Sequence, residues 1–315
     1  MKSKLKYILS IALAVVLLYF SFREVRWTEF WAVLKNCKWC FVLLSIVFGV
    51  LAAYLRGVRW GLMLRPISPS VKDIKCFNAV NISRLSDYVV PYSSAVVRAG
   101  VVINKDLRLD KSFGTVVLER TWDVFCLAFL IILLLLFRWD MFGDFFSEKI
   151  IAPLLTRFSA KVLWAVAAVL IAAVVLVLMN RRVRKFTRGI LQGASTCLHM
   201  NRKGLFLIYT VLMWFMFLMM SQTIIWALPE DFGLTIVDAI FIMLVGSVAG
   251  CVPVPGGFGA FHYMVAMALD SIYGIPFETG IVFATLSHES QAIMMLFAGA
   301  LSYFLESRAP KNTNE

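Results

Sequence analysis

Long apolar runs dominate the pattern of hydrophobic and polar positions along this chain. Four runs are uninterrupted and long enough to cross the hydrocarbon core of a bilayer, which takes about 20 helical residues. Two more are long enough but carry ionisable residues in their interior. The pattern therefore predicts six transmembrane helices, at residues 5–22, 39–55, 113–137, 162–179, 205–228 and 280–305.

Two other apolar stretches, 76–103 and 237–269, are interrupted by helix-breaking residues. Proline removes a backbone donor and glycine permits turns, so each stretch is predicted to form a helix, a break and a returning helix. We interpret both as re-entrant hairpins, since irregular backbone at membrane depth is tolerated where protein surrounds it. The breaks fall at Pro91 in the first stretch and at Pro253, Pro255, Gly256, Gly257 and Gly259 in the second.

Composition excludes a soluble globular protein, because 61% of the 315 residues are hydrophobic and only 16% are charged. The loops left after six spans are too short to fold as a separate catalytic domain, so function is expected within the membrane. The predicted fold class is therefore an all-α polytopic membrane protein. The one CxxC pair, Cys37 and Cys40, is weak support for a metal site, and we expect neither a metal nor a cofactor.

Basic residues outnumber acidic ones by 31 to 19. In a polytopic chain this excess is typical of cytoplasmic loops that follow the positive-inside rule, so we expect no nucleic-acid partner. With the N-terminus inside, the predicted inner segments hold 22 of the 31 basic residues. We therefore expect both termini and the loop 180–204 to face the cytoplasm of a cell that carries the protein in its inner, or plasma, membrane.

The two halves of the chain share a weak internal similarity. A shift of 166 residues places Asp123 on Glu289, and a shift of 164 places Pro91 on Pro255. The opposite predicted orientation of the halves matches the inverted-repeat plan of secondary transporters. The expected units are a first transmembrane repeat at 1–137, a second at 138–305 and a cytoplasmic tail at 306–315.

Three charged residues lie within one predicted span. Glu119 and Asp123 are four residues apart and share a helix face, and Arg120 lies three residues before Asp123 and can reach it. Charges at this depth are costly, which favours a gate or part of a headgroup or proton site. An ion pair that only fixes helix packing is the alternative.

The first hairpin places Arg84, Asp87 and Arg98 on the two sides of its break. Arginine suits forked hydrogen bonds to phosphate, and the free N–H groups at the start of a half-helix also favour an anion. These three residues are therefore candidates for binding a substrate headgroup. Alternatively, the arginines extend to the cytoplasmic interface.

The candidate site residues in the second half of the chain include two histidines. His262 follows the second break and is a candidate for headgroup binding or proton transfer, with a packing role as the alternative. His288 and Glu289 are further candidate substrate-binding residues within the last span. With Ser287 they suggest a hydrolase triad, but consecutive helical residues point about 100° apart and are not expected to converge.

Several segments together resemble the flippase-like transmembrane domain of the lysylphosphatidylglycerol synthase family. These segments are "YLRGVRWGLML", "NISRLSDYVVPYSSAVVRAGVV", "TVVLERTWDVFCL" and "VPVPGGFGAFHYMVAMAL". The resemblance implies a lipid-handling membrane domain without the soluble aminoacyl transferase domain of bifunctional members. His262 stands where the family pattern has an acidic residue, and His288 where arginine is common. These departures leave the substrate open. In the first segment, Arg56, Arg59 and Trp60 are interpreted chiefly as anchors to lipid headgroups.

The leading hypothesis is flippase-like translocation of an anionic or glycosylated lipid between leaflets. No nucleotide-binding loop is present in the sequence, so energy would come from an ion gradient or mass action. The expected partners are membrane lipids and a separate lipid synthase. A membrane glycosyltransferase or lipid-modifying enzyme is one alternative, although we find no metal-binding acidic pair and no activated nucleophile. A non-catalytic partner of a lipid synthase is the other.

Overall fold

The computed structural model describes residues 27–90, 93–152, 164, 179–252, 254 and 257–308, and every regular element within them is helical. Expected helix 5–22 and all but two residues of expected helix 162–179 lie outside the described residues. Four of the expected break residues also lie outside them, namely Pro91, Pro253, Pro255 and Gly256.

Five described helices come from the first half of the chain. Arg138 kinks the last of them with a non-helical φ/ψ of −138° and 43°, at the residue after the end of the predicted span 113–137. A π-helical segment, Phe145–Ile151, continues that helix. The helices are α1 (Trp27–Asn36), α2 (Trp39–Leu64), α3 (Asp73–Val89), α4 (Ser94–Val101) and α5 (Leu109–Asp144).

The five described helices of the second half are α6 (Arg181–Leu198), α7 (Lys203–Ala227), α8 (Ile236–Ala249), α9 (Ala260–Tyr273) and α10 (Phe277–Arg308). Local sequence explains several of their ends. The Asn180 side chain accepts hydrogen bonds from the first turn of α6, and Thr235 with Asp238 forms a capping box on α8. Gly274 ends α9 in the left-handed conformation with φ 63°.

Four described helices are long and apolar enough to cross a membrane. They coincide with the four predicted spans that fall within the described residues. Leu136, Phe137 and Phe297 on these helices are at least 75% exposed, as lipid-facing side chains are. The four candidates are Trp39–Leu64, Leu109–Ile151, Lys203–Ala227 and Phe277–Arg308.

Both broken stretches form the expected helix, break and helix. Helices α3 and α4 flank the first break, and α8 and α9 flank the second. The expectation of a loop at 180–204 is wrong, because most of this segment forms helix α6. Its basic first turns suggested a solvated loop, but the Asn180 cap and the docking of this helix on α5 stabilise a helix instead.

The pairs of helices in contact recur between the halves. In the first half α2 packs on α3, α3 on α4 and α4 on α5, and in the second half α7 packs on α8, α8 on α9 and α9 on α10. Contacts between the halves also recur, because α5 packs on α6 and α8 while α10 packs on α1 and α3. The contact of α2 with α7 joins the two equivalent long helices.

Candidate functional site

Two carboxylates on α5 form the centre of a buried ionic cluster. Glu119 and Asp123 lie one turn apart on the same face, and Arg59 of α2 contacts both of them. Arg59 Nη2 donates to Glu119 Oε1 at 2.9 Å and to Asp123 Oδ1 at 2.7 Å. The side chains of Arg59 and Glu119 are completely buried. The shared face predicted for the two carboxylates is confirmed.

Arg98 of α4 brings the broken hairpin into this cluster. Its Nη1 lies 2.6 Å from Glu119 Oε2, and its guanidinium carbon lies 4.3 Å from the centre of the Trp60 ring. Trp60 is itself held by a hydrogen bond from its indole nitrogen to Thr115 Oγ1 of α5, at 2.9 Å. Stacking on an aromatic face and pairing with a carboxylate are both suited to a guanidinium. The short helix after the break is thereby linked to two long helices.

Arg56 of α2 completes the cluster at its more open edge. Arg56 Nη1 lies 3.2 Å from Asp123 Oδ2, and the two side chains are 21% and 16% exposed. On the opposite side of the cluster, Thr210 of α7 accepts a hydrogen bond from Arg59 Nη1 at 3.3 Å. The cluster is therefore closed at Glu119 and partly open at Asp123.

The charges of this arginine cluster, defined as Arg56, Arg59, Arg98, Glu119 and Asp123, do not cancel. Three guanidinium groups face two carboxylates, which leaves one excess positive charge in a mostly buried site. Arg98 Nε and Nη2 are buried without a hydrogen-bond partner among the described residues. Buried donors without acceptors are costly. An anion that reached them would supply both the missing charge and the missing acceptors.

The expected pairing of Arg120 with Asp123 is wrong. Arg120 is exposed and its Nη2 donates to Ser94 Oγ at the start of α4. Besides Arg98, the partners of the carboxylates are Arg56 and Arg59, for which the sequence chiefly predicts lipid anchoring. Their spacing of three residues puts them on one face of α2. Two carboxylates buried in one apolar span need positively charged partners, and these can come from another span. Two arginines on one face of a neighbouring span are therefore the sequence signal that identifies the partners.

The remaining candidates of the first hairpin lie beside its break. Asp87 Oδ1 accepts a hydrogen bond from the backbone N–H of Ser94 at 2.8 Å, and Ser93 Oγ donates to Ser86 Oγ at 2.9 Å. These bonds join the end of α3 to the start of α4, so Asp87 caps the second helix across the break. Arg84 is half-buried on α3.

A second polar cluster lies where α9 faces α10. His262 of α9 is buried, and its Nε2 lies 3.5 Å from Glu289 Oε1 of α10. His288 Nδ1 lies 3.1 Å from the same oxygen, so the expectation that consecutive helical residues do not converge is wrong for this pair. The length of the glutamate side chain accounts for the contact. We call His262, His288 and Glu289 the histidine cluster.

The second break contains Gly257 and Gly259 and lies against this cluster at Gly257. Both have φ of 79°, a conformation that side chains with a Cβ rarely adopt. A Cβ added to Gly257 would lie 3.5 Å from His288 Nε2, in ordinary contact. The rings of Phe258 and Phe261 lie 4.9 and 5.4 Å from that of His288, centre to centre. The break thus forms one wall of the histidine cluster.

Comparison with known families is informative over most of the chain. The family model described as "Lysylphosphatidylglycerol synthase TM region" matches residues 7–299. The match includes both clusters and both broken stretches. Searches of curated proteins and of solved structures find no match.

Proposed function

The chain belongs to the family of the lysylphosphatidylglycerol synthase TM region, and from this premise we propose that it translocates an anionic or glycosylated lipid between membrane leaflets. It is a membrane protein of a family related to lipid synthesis or transport. The arginine cluster is the observation that carries the finer proposal. It supplies excess positive charge and unpartnered guanidinium donors beside a broken helix, which together suit a phosphate group.

The proposed path leads the headgroup past the arginine cluster while the acyl chains stay in lipid. Arg56 and Asp123 form the partly open edge at which a headgroup would arrive, and Arg98 lies deeper, beside the break. Arg84, Asp87 and Arg120 flank the same hairpin. His262, His288 and Glu289 would act on the second half of the path. The sequence contains no nucleotide-binding loop, so translocation would follow an ion gradient or mass action.

The recurring helix contacts support an inverted-repeat architecture with units at 1–137 and 138–305. In this proposal six helices cross the inner, or plasma, membrane, both hairpins are re-entrant, and both termini are cytoplasmic. The arginine cluster then lies nearer the cytoplasmic side and the histidine cluster nearer the opposite side. Such a placement of discontinuous helices in corresponding positions is typical of transporters with a site near the midplane.

Two other functions compete with this proposal. A lipid-modifying enzyme is the first, and the histidine cluster, with its buried base and adjacent carboxylate, is the observation that favours it. A non-catalytic partner of a separate lipid synthase is the second, and family membership alone favours it.

The test is transport by the purified full chain in liposomes without ATP. Labelled lipids with anionic, sugar-phosphate and zwitterionic headgroups are exposed to a membrane-impermeant quencher, with and without an imposed proton or sodium gradient. We expect faster inter-leaflet movement of a phosphate-bearing anionic or glycosylated lipid than in protein-free liposomes. Rates equal to protein-free liposomes for every lipid, from folded protein, would contradict the proposal, and a chemically altered lipid in the mass spectrum would favour the enzyme.

A further inference from the structure

Two of the three histidines in the chain meet one glutamate in the histidine cluster. His262 is supplied by α9, the short helix after the second break, and His288 and Glu289 by the long helix α10. The arginine cluster has the same plan in the first half, where α4 supplies Arg98 and α5 supplies the carboxylates. The two clusters differ in chemistry, since the second offers nitrogen and carboxylate ligands in place of guanidinium donors.

We propose that His262, His288 and Glu289 bind a divalent transition-metal ion of the zinc class. One ligand atom from each residue lies within 4.8 Å of the ligand atoms of the other two. Tetrahedral zinc with bonds of 2.0 to 2.1 Å holds its ligands about 3.3 Å apart. The separations of 3.1 Å and 3.5 Å between the histidine nitrogens and Glu289 Oε1 are already close to that value.

The ligand set selects the class of metal. Imidazole nitrogens suit zinc and its neighbours, whereas magnesium and calcium require oxygen ligands. Two histidines and one glutamate leave the fourth position of a tetrahedral ion to an outside ligand, as in sites that bind water or substrate. Glu289 is 37% exposed at its side chain, while His262 is almost fully buried, so the open position of the site lies on the Glu289 side.

The surroundings fix the ligands in place. Phe258 packs edge-on against the His288 ring, and the ring centre of His262 lies 5.2 Å from that of His288. Gly257 and Gly259 hold the break in a backbone conformation that favours glycine. Rings held by such packing lose little freedom when an ion binds, which raises affinity. Metal binding is measured separately from lipid movement, so this proposal and the proposed function can fail independently.

The experiment titrates Co²⁺ as a spectroscopic probe, and then Zn²⁺ as competitor, into purified full-length protein that has been treated with chelator. We expect about one ion per chain, with the visible d–d bands of a four-coordinate nitrogen and oxygen site and no thiolate charge-transfer band. His262→Ala and His288→Ala should each weaken binding at least about tenfold, since even outer-shell changes often cost 10- to 100-fold. Glu289→Gln should weaken binding while preserving side-chain size.

His199→Ala is the matched control. His199 is exposed at the end of α6, and its Nδ1 lies 3.0 Å from the carbonyl oxygen of Ser195. This variant should bind Co²⁺ as the wild type does. Equal affinity of wild type, His262→Ala and His288→Ala would overturn the proposal, as would a thiolate spectrum or equal loss in His199→Ala. Circular dichroism and the elution volume of each variant separate loss of the site from loss of the fold.

Discussion

Arg59 contacts both carboxylates of the arginine cluster, whereas Arg56 and Arg98 each contact one. Arg59 is completely buried and contacts Glu119 and Asp123, whereas Arg120 is exposed and contacts Ser94. Loss of Arg59 removes two buried charge-assisted hydrogen bonds, each worth about 1.5–3 kcal/mol, whereas loss of Arg120 removes one hydrogen bond near the surface. We therefore expect the loss of Arg59 to lower the free energy of unfolding more than the loss of Arg120, although both arginines are close to Glu119 and Asp123 in the chain or in the fold.

We predict that Arg59→Ala lowers the free energy of unfolding by about 3 kcal/mol or more and that Arg120→Ala lowers it by about 1 kcal/mol. Denaturant unfolding in a fixed detergent measures both values. The double change Arg59→Ala with Asp123→Ala should cost less than the sum of the two single changes, because it removes both members of one pair. Additive losses, or equal losses at Arg59 and Arg120, would contradict this assignment.

Cys197 reports on the docking of α6. Its thiol is buried and lies 3.3 Å from the Met63 carbonyl oxygen of α2. Burial raises the pKa of Cys197 to about 12, so the thiol stays protonated at pH 8. The stability that comes from burying the neutral thiol is fully present below the ordinary pKa of cysteine. It is lost as pH rises from that pKa toward the raised pKa. We predict no maleimide labelling of Cys197 at pH 8 in folded protein, on a background that lacks the other cysteines. Complete labelling before unfolding would show that α6 does not dock as described.

At the scale of elements, glycines set how closely the helices approach. A Cβ added to Gly193 of α6 would lie 2.2 Å from the Lys111 carbonyl oxygen of α5, and one added to Gly114 of α5 would lie 2.1 Å from the Ile190 carbonyl oxygen. Small residues that let backbones approach are typical of helix contacts in membranes. The docking of the amphipathic helix α6 on α5 therefore depends on these positions.

We predict that Gly193→Ala lowers the free energy of unfolding by about 1–3 kcal/mol, because the backbone oxygen it meets cannot rotate away. Gly204→Ala near the start of α7 is the control, since a Cβ there meets nothing within 4 Å. Alanine is also the better helix former, so the control variant should be neutral or slightly stabilised. Thermal unfolding of both proteins in one detergent measures the difference. A Gly193→Ala protein as stable as the control would contradict the close approach.

Apolar length and break residues predicted most of the described elements, because both signals are local. The four described spans and the two broken stretches lie where the sequence placed them. The sequence does not predict helix α6, because a basic run between two apolar spans is typical of a loop, although Asn180 begins the helix with a favourable cap. The pairing of Arg59 with Glu119 was also missed. It joins positions 60 residues apart, and which face of α2 meets α5 is decided by packing, not by local pattern.

At the scale of the whole molecule, the proposed orientation has a direct consequence for surface labelling. In that orientation the positive-inside rule would put the basic helix α6 inside and the acidic loop after α7 outside. We predict that an impermeant thiol reagent applied from outside modifies a cysteine at Glu230 and leaves one at Lys185 unmodified, on a cysteine-free background. Labelling both sites after permeabilisation is the control. The reverse pattern would contradict the proposed orientation.

The most direct test of the account compares lipid movement catalysed by the wild type with that of three folded variants in liposomes. Arg98→Ala and Glu119→Gln alter the arginine cluster, while Arg65→Ala removes a partly exposed ion pair that joins the end of α2 to Asp73 of α3. A charge-assisted hydrogen bond is worth about 1.5–3 kcal/mol, so the first two variants should move a phosphate-bearing lipid about tenfold more slowly or worse. Arg65→Ala should match the wild type. Equal rates for all four proteins would contradict the claim that the arginine cluster guides the headgroup.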